Sequence, residues 1–446
     1  METAHTLTVR RRVDTAWLVV LATAGAALLA VFLALGVVLG RNPLPMPVVL
    51  GFGVGLLGTL ALALARYDAA VVLGVFLLAA VRVEPAPSDL VFGVLIAVAF
   101  ATWRFDLQRV PLSITLLVSA FLGLNLMASI DVIDPGRAMM FFAITLYLGV
   151  FGLWFAGYVH SVRRARLVLL AYLAAAVLSA AVACLALFTS FPGSDLFVRG
   201  PRAQGLFKDP NVFGPFLVPA ALVLMEETVA PRLLRLRLLP KLALLSVVTV
   251  GVVFSFSRAA WLNLAIGTAA LLVVLALRRG GARQALSLLV VALTAGGALF
   301  AVLATTSSLT FLQERAAIQV YDTQRFGAQL SGLELAAEYP LGIGPGQFER
   351  VSELSAHSTY VRALAEEGVL GMLVILGVML LTLGFAARNA ALGVDTYGIG
   401  SAALFGAWCG ILANSVFVDT LHWRHLWLVA ALIWAATALR TRYPGR

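Results

Sequence analysis

Three segments of the 446-residue chain combine residue types that bind anions or move protons. The first is Arg202-Ala203-Gln204-Gly205-Leu206-Phe207-Lys208-Asp209-Pro210-Asn211, which runs into an apolar stretch at Val212. Asn211 is placed to cap a helix starting there, and a helix N-terminus offers an anion free N–H groups and partial positive charge. The second is Phe254-Ser255-Phe256-Ser257-Arg258-Ala259-Ala260-Trp261, a break so short that Arg258 must sit at the edge of the apolar layer. A cation so placed is costly unless it is paired or wet. The third is Tyr339-Pro340-Leu341-Gly342-Ile343-Gly344-Pro345-Gly346-Gln347-Phe348, followed by His357-Ser358-Thr359-Tyr360 and Glu366-Glu367-Gly368. Its glycines allow positive φ and close backbone approach. His357 is a base with an ordinary pKa of about 6.5. Each segment has a plainer reading: capping for the first, a snorkelling arginine aided by Trp261 for the second, and a structural histidine for the third.

The elements that must position these residues are membrane helices. The chain is 61% hydrophobic and 12% charged, against roughly 25% charged in an average soluble domain. Apolar stretches of about 20 residues recur throughout, each long enough to cross a hydrocarbon core of roughly 30 Å as a helix. The ten-residue alternation of a transmembrane barrel is missing, so the backbone must satisfy itself within helices. Apolar runs fall near 16–40, 48–65, 69–82, 89–103, 111–129, 137–159, 166–189, 211–229, 241–256, 259–277, 285–304, 368–387, 398–416 and 423–440. This predicts an all-α polytopic transmembrane helical bundle of about 12–14 spans. The run Trp17–Gly40 after Arg10-Arg11-Arg12 is too long for a signal peptide and reads as an uncleaved first span. Cys184 and Cys409 both lie in apolar runs, which excludes a disulfide framework or a cysteine metal cluster.

The net charge of +10 is no sign of nucleic acid, because the cations sit in short clusters between apolar runs, as topology signals do. With the N-terminus inside, the groups Arg163-Arg164-Arg166, Arg232-Arg235-Arg237-Lys241, Arg278-Arg279-Arg283 and Arg440-Arg442-Arg446 all face the cytoplasm, and so does the C-terminus. Residues 190–210, the turn at Ser255–Ala259 and the stretch from about 305 to 367 then face outside. Arg199, Arg202, Lys208, Arg258, Arg315, Arg325, Arg350 and Arg362 all lie on that side against the bias. Anion binding is the simplest reason to keep them there. For Arg315 and Arg350, each beside a glutamate, surface pairing is the preferred account. Leu309–Tyr321 and Thr323–Glu338 have the spacing of amphipathic helices, and Ala356-His357-Ser358 opens the helix that re-enters the bilayer.

Of the other histidines, His5 lies in the tail, His160 in a cytoplasmic loop, and His422 and His425 in the last outer loop, where they read as interfacial anchors. The outer acids Glu84, Asp89, Asp131, Asp134 and Asp195 are scattered and read as structural. The first outer loop holds Asn42 and no acidic residue between Arg41 and Pro47, so no metal and no other cofactor is expected.

Together, in this order and topology, these motifs resemble the O-antigen ligase and O-antigen polymerase superfamily. The resemblance covers roughly residues 199–371 and the three following spans. It implies a helical fold related to the C-type glycosyltransferases with a large helical outer loop. It also implies metal-independent transfer of a glycan from a polyprenyl-diphosphate donor to a glycan or lipid acceptor, on the outer face of the inner or plasma membrane. Arg202 and Arg258 then face the diphosphate, His357 is the general base of an inverting attack, and Arg325 matches a recurrent arginine of the family's large loop. Lys208, Asn211, Gly344, Gly346 and Tyr360 are candidate supporting residues. The corresponding division is 1–190 (about seven spans), 191–304 (core spans with arginine-bearing outer loops), 305–367 (large outer loop) and 368–446 (three spans). The partners are the lipid-linked donor, the acceptor and membrane lipids, with no nucleic acid.

Two other classes compete. A transporter or flippase of the same lipid-linked glycan predicts internal repeats and ionisable or broken positions at mid-membrane, whereas the cations here gather at one face. A wall-polymerising enzyme of the shape-and-division class predicts a catalytic outer aspartate, for which Asp322 is the one candidate and its surroundings are unsuited.

Overall fold

The computed structural model describes residues 46–278, 280–304, 314, 320–352, 354–393 and 401–442. The predicted first span, Arg315 and most of the stretch Leu309–Tyr321 lie outside the described residues. Two compact units divide between residues 106 and 107.

In the first unit, α1 (Met46–Ala65), α2 (Tyr67–Phe76) and α3 (Pro87–Ala101) pack on one another. Asp89 accepts from Ala86 N at 2.8 Å and closes the start of α3, a structural use of that acid. Tyr67 donates to Leu95 O at 2.9 Å, so its hydroxyl is satisfied inside the apolar layer.

The second unit holds α4 (Leu112–Met127), α5 (Pro135–Tyr158), α6 (Val162–Phe188), α7 (Pro210–Val229), α8 (Leu238–Phe254), α9 (Arg258–Leu277) and α10 (Ala282–Ala304). It continues with α11 (Val320–Glu338), the single turn α12 (Phe348–Val351), α13 (Thr359–Ala391), α14 (Ser401–Phe417) and α15 (Arg424–Arg442). A two-residue hairpin, β1 (Val198–Arg199) with β2 (Arg202–Ala203), precedes α7. The protein is thus an all-α polytopic membrane fold. Helices α5, α6, α7, α9 and α13 are long and apolar enough to cross a membrane, and the other predicted spans among the described residues fall on shorter apolar helices.

Helix α7 is enclosed nearly all round, with Phe213 to Glu227 buried, and α6, α8, α9 and α14 surround it. Hydrocarbon chains are as apolar as leucine, so close packing through small residues holds such a bundle together. At Gly267 a Cβ would lie 2.7 Å from Leu222 of α7 and 3.0 Å from Gly406 O of α14, and at Gly406 it would lie 2.5 Å from Gly267 O. One turn along, Asn263 fills the space beside Gly410. Helices α9 and α14 therefore run antiparallel at near-backbone contact.

At one end of the unit, Glu226 accepts from Ala403 N at 2.7 Å and pairs with Arg278 at 3.4 Å, while Arg278 reaches Ser401. Beside it Glu227 accepts from Arg232 N, Leu233 N and Leu234 N and pairs with Lys241. Cations from two of the clusters read as cytoplasmic thus gather at one end. The three motif segments lie at the other.

At 33 residues α13 would be about 50 Å long as one helix, more than the hydrocarbon core needs. Gly368, at φ 73° and ψ −175°, divides it at the position where the predicted span starts. The break frees the carbonyls of Ala365 and Glu366, which accept from Ile343 N and Gly344 N at 2.9 Å, and Pro340 O accepts from Val369 N at 3.1 Å. The glycine-rich segment is therefore docked backbone to backbone along the break. Side chains at Gly342 or Gly368 would meet the carbonyls of Glu366 and Pro340.

Candidate active site

Arg202 stands on the hairpin. Gly200 turns it at φ 58°, and Phe197 O accepts from Gln204 N and Gly205 N behind it. From there Nε of Arg202 donates to Ser255 O at 2.8 Å and Nη2 to Asn211 Oδ1 at 2.9 Å. The N-cap of α7 is Asp209, whose carboxylate accepts from Asn211 N at 2.7 Å and from Arg199 at 3.0 Å. This corrects the assignment of Asn211 as cap. Pro210 takes the first helical position, where its missing N–H costs nothing, which moves the cap to Asp209 and frees the Asn211 amide for Arg202. Lys208 is exposed on the same loop.

The α8–α9 turn is tight: Phe256 has φ 46°, Ser257 caps α9 by accepting from Ala260 N, and Arg258 is its first residue, half-buried. The absent side chain of Gly214 lets α7 pass this turn, since a Cβ there would lie 2.5 Å from Ser255 Oγ and 2.8 Å from Ala260. Trp261 donates to Val253 O at 3.4 Å. The first two motif segments are thus joined through Ser255.

His357, half-buried with φ 47°, is gripped from α11. Arg325 Nη2 lies 3.3 Å from His357 Nδ1, and Gln329 donates to His357 O at 3.4 Å and to Val416 O at 3.3 Å. Ser358 caps α13 and reaches Ser415 O at 3.4 Å, and Tyr360 donates to Leu412 O at 3.1 Å. Tyr360 therefore pins α13 to α14. Burial first, then the charges of Arg325 and Arg362, hold the His357 pKa below its ordinary value, against smaller opposing pulls from Glu349 and Asp419.

The last turn of α14 lies beside both groups of residues. Antiparallel contact of α9 and α14 at Gly267–Gly406 and Asn263–Gly410, continued toward the site, brings Arg258 to the level of Ser415. Ser358 and Gln329 reach carbonyls of the same turn, at Ser415 and Val416.

A buried ion-pair cluster supports this arrangement, and sequence reasoning missed it. Arg362, 5% exposed, pairs with Glu349, with Asp419 at 3.0 Å and with Glu366 at 3.4 Å. Glu349 also takes Arg137 at 2.9 Å, and Arg137 donates to Gly346 O. Burial pushes the Glu349 pKa up, but Arg362 and Arg137 outweigh it and hold the carboxyl below its usual range. Glu366 accepts from Gly346 N at 2.8 Å and Phe348 N at 3.1 Å, and Glu367 accepts from Asn125 at 2.8 Å. Gly344 and Gly346 are buried at positive φ, their missing side chains leaving room for Val132 and Phe141. Arg350 pairs with Asp134, the cap of α5, instead of its neighbour Glu349. The one sequence signal for the cluster was Arg362 itself, standing on the cation-poor side beside Glu366-Glu367.

His425 is also corrected: it is buried between Phe216 and Trp423 and anchors nothing at an interface. His422 bonds Thr145 at 3.0 Å. Among the described residues no three His, Cys, Asp or Glu side chains converge as a metal site requires.

Residues 242–376 match the family model described as O-antigen ligase, which supports placing the chain in the O-antigen ligase and polymerase superfamily. The matched stretch includes the Ser255–Trp261 turn, Arg325, the glycine-rich segment and His357, while Arg202 and Asn211 precede it. No curated protein matches the chain.

Proposed function

We propose that this chain, a membrane glycan-transferring protein of the O-antigen ligase and polymerase superfamily, moves a glycan from a polyprenyl diphosphate to an acceptor hydroxyl on the outer membrane face. The reading is supported by two built groups of residues at one end of the bundle: Arg202 is tied to the Arg258 turn through Ser255 O, and next to His357 the Ser358 side chain reaches Ser415 O, at the end of α14 that the antiparallel contact with α9 puts level with Arg258. A glycosyl diphosphate needs this pairing of groups: cations at the leaving oxygens and a base on the opposite side of the anomeric carbon.

His357 takes the proton of the acceptor hydroxyl as its oxygen bonds to the anomeric carbon. The bond from that carbon to the diphosphate oxygen breaks, its electron pair leaves with the diphosphate, and configuration inverts. Arginines suit the leaving group because their planar forks pair two phosphate oxygens at once. The lowered proton affinity of His357 keeps its imidazole neutral, as a base must be, near neutral pH.

The test is reconstitution in lipid with a synthetic polyprenyl-diphosphate oligosaccharide and labelled candidate acceptors. Transfer with release of polyprenyl diphosphate is expected, and product size separates polymerase from ligase. Movement of the intact donor across the bilayer with no new glycosidic bond would favour a flippase and end this reading.

A further inference from the structure

One helix controls both ends of the candidate base. Arg325 and Gln329 stand four residues apart on α11 and so share a face. Gln329 holds the His357 carbonyl, and Arg325 lies against ring nitrogen Nδ1 at 3.3 Å. A guanidinium has donors only and keeps its proton, so Nδ1 can take part in that contact only through its lone pair. A neutral imidazole has one lone pair and one N–H. With the lone pair turned to Arg325, the proton resides on Nε2, and neither nitrogen is open to a further proton.

We infer that Arg325 is a positioning residue that masks His357 in the donor-free protein, and that the diphosphate of the donor unmasks it by drawing the guanidinium onto its own oxygens. This rests on the reading of His357 as the base. The exchange is driven by the charge of the ligand: a guanidinium–phosphate contact is charge-assisted and bidentate, whereas the imidazole of His357 offers Arg325 only a neutral lone pair. Once Arg325 has moved, Nδ1 accepts the acceptor's proton, and the displaced guanidinium stays on the diphosphate oxygens. Proton abstraction therefore waits for the donor, which binds before the acceptor reacts. The depressed proton affinity of His357 agrees with a cation held at the ring.

Diethylpyrocarbonate, which acylates an imidazole through a free lone pair, reads the mask directly. The full-length protein in lipid is treated with the reagent, with and without inorganic diphosphate or a short-chain prenyl diphosphate. Modification of His357 is followed by peptide mass spectrometry with His422 as internal reference, and ligand binding is followed by calorimetry on the same samples. Slow modification of His357 alone and a severalfold rise on adding either diphosphate are expected. Arg325→Ala should react fast without ligand and show no further rise, with Arg325→Lys between the two. A wild-type rate that falls or stays constant with bound diphosphate overturns the inference, as does an Arg325→Ala rate equal to wild type in a folded protein, or failure of both diphosphates to bind. These outcomes are separate from the function itself, whose failure appears as glycan transfer persisting in His357→Ala.

Discussion

Arg202 donates through Nε to the carbonyl oxygen of Ser255 at 2.8 Å, which ties the hairpin before α7 to the turn three residues ahead of Arg258. With its second contact to Asn211, the guanidinium is oriented before any ligand arrives. Preorganisation of this kind lowers the cost of binding.

Arg202→Ala is expected to weaken binding of a labelled polyprenyl-diphosphate analogue by about ten- to a hundredfold, since a charge-assisted contact contributes roughly 1.5–3 kcal/mol. Arg202→Lys keeps the charge but cannot make both contacts, so it should recover only part of the loss. Equal affinity in wild type and Arg202→Ala would remove Arg202 from the donor site.

His357→Ala should slow transfer by about 10²–10⁴-fold and leave donor affinity nearly unchanged, the signature of a lost general base. The pH profile adds a second check. A base works unprotonated, and burial with Arg325 and Arg362 depresses the His357 pKa, so the acid limb of kcat/KM should lie below the ordinary histidine value of about 6.5. Arg325→Gln removes one of the depressing charges and should move that limb to higher pH. A limb that stays in place, or moves lower, contradicts the assignment.

Arg362 sits among three carboxylates with almost no access to solvent. Removing one partner of such a buried cluster strands the others, at a cost of about 3–5 kcal/mol. Arg362→Ala should therefore lower the thermal unfolding midpoint in detergent clearly and make the glycine-rich segment more sensitive to protease. An unchanged midpoint would mean that the cluster is not what holds that segment.

Sidedness can be read by impermeant thiol labelling after Cys184 and Cys409, both in helices, are replaced. Cysteines introduced at Ser194 and Ser352 should label from outside, while one in the Arg232–Lys241 loop should not. Protection of either outer site in a folded protein would overturn the orientation together with the proposed reaction face.

The helices themselves were legible from sequence, because a backbone in hydrocarbon must satisfy its own hydrogen bonds and an apolar run of sufficient length leaves few alternatives. The predicted run 137–159 became Pro135–Tyr158, and 259–277 became Arg258–Leu277. The charge bias, which follows from composition and order alone, flagged eight cations, Arg202, Arg258 and Arg362 among them, with anion binding as the simplest reason, whereas Arg362 is taken by three carboxylates of the protein itself. Pairing across the fold was another matter. Arg350 passes over the adjacent Glu349 for Asp134, Arg362 reaches Asp419 from 57 positions away, and Arg325 meets His357 across 32. Spacing along a chain determines which face of one helix a side chain occupies, but its partner depends on which helices lie alongside and in what register. Here that register was set by Gly267, Gly406 and Gly410, where absent side chains bring α9 and α14 together. That contact, formed only in the packed bundle, brings the arginine turn level with the end of α14 that Ser358, next to His357, holds.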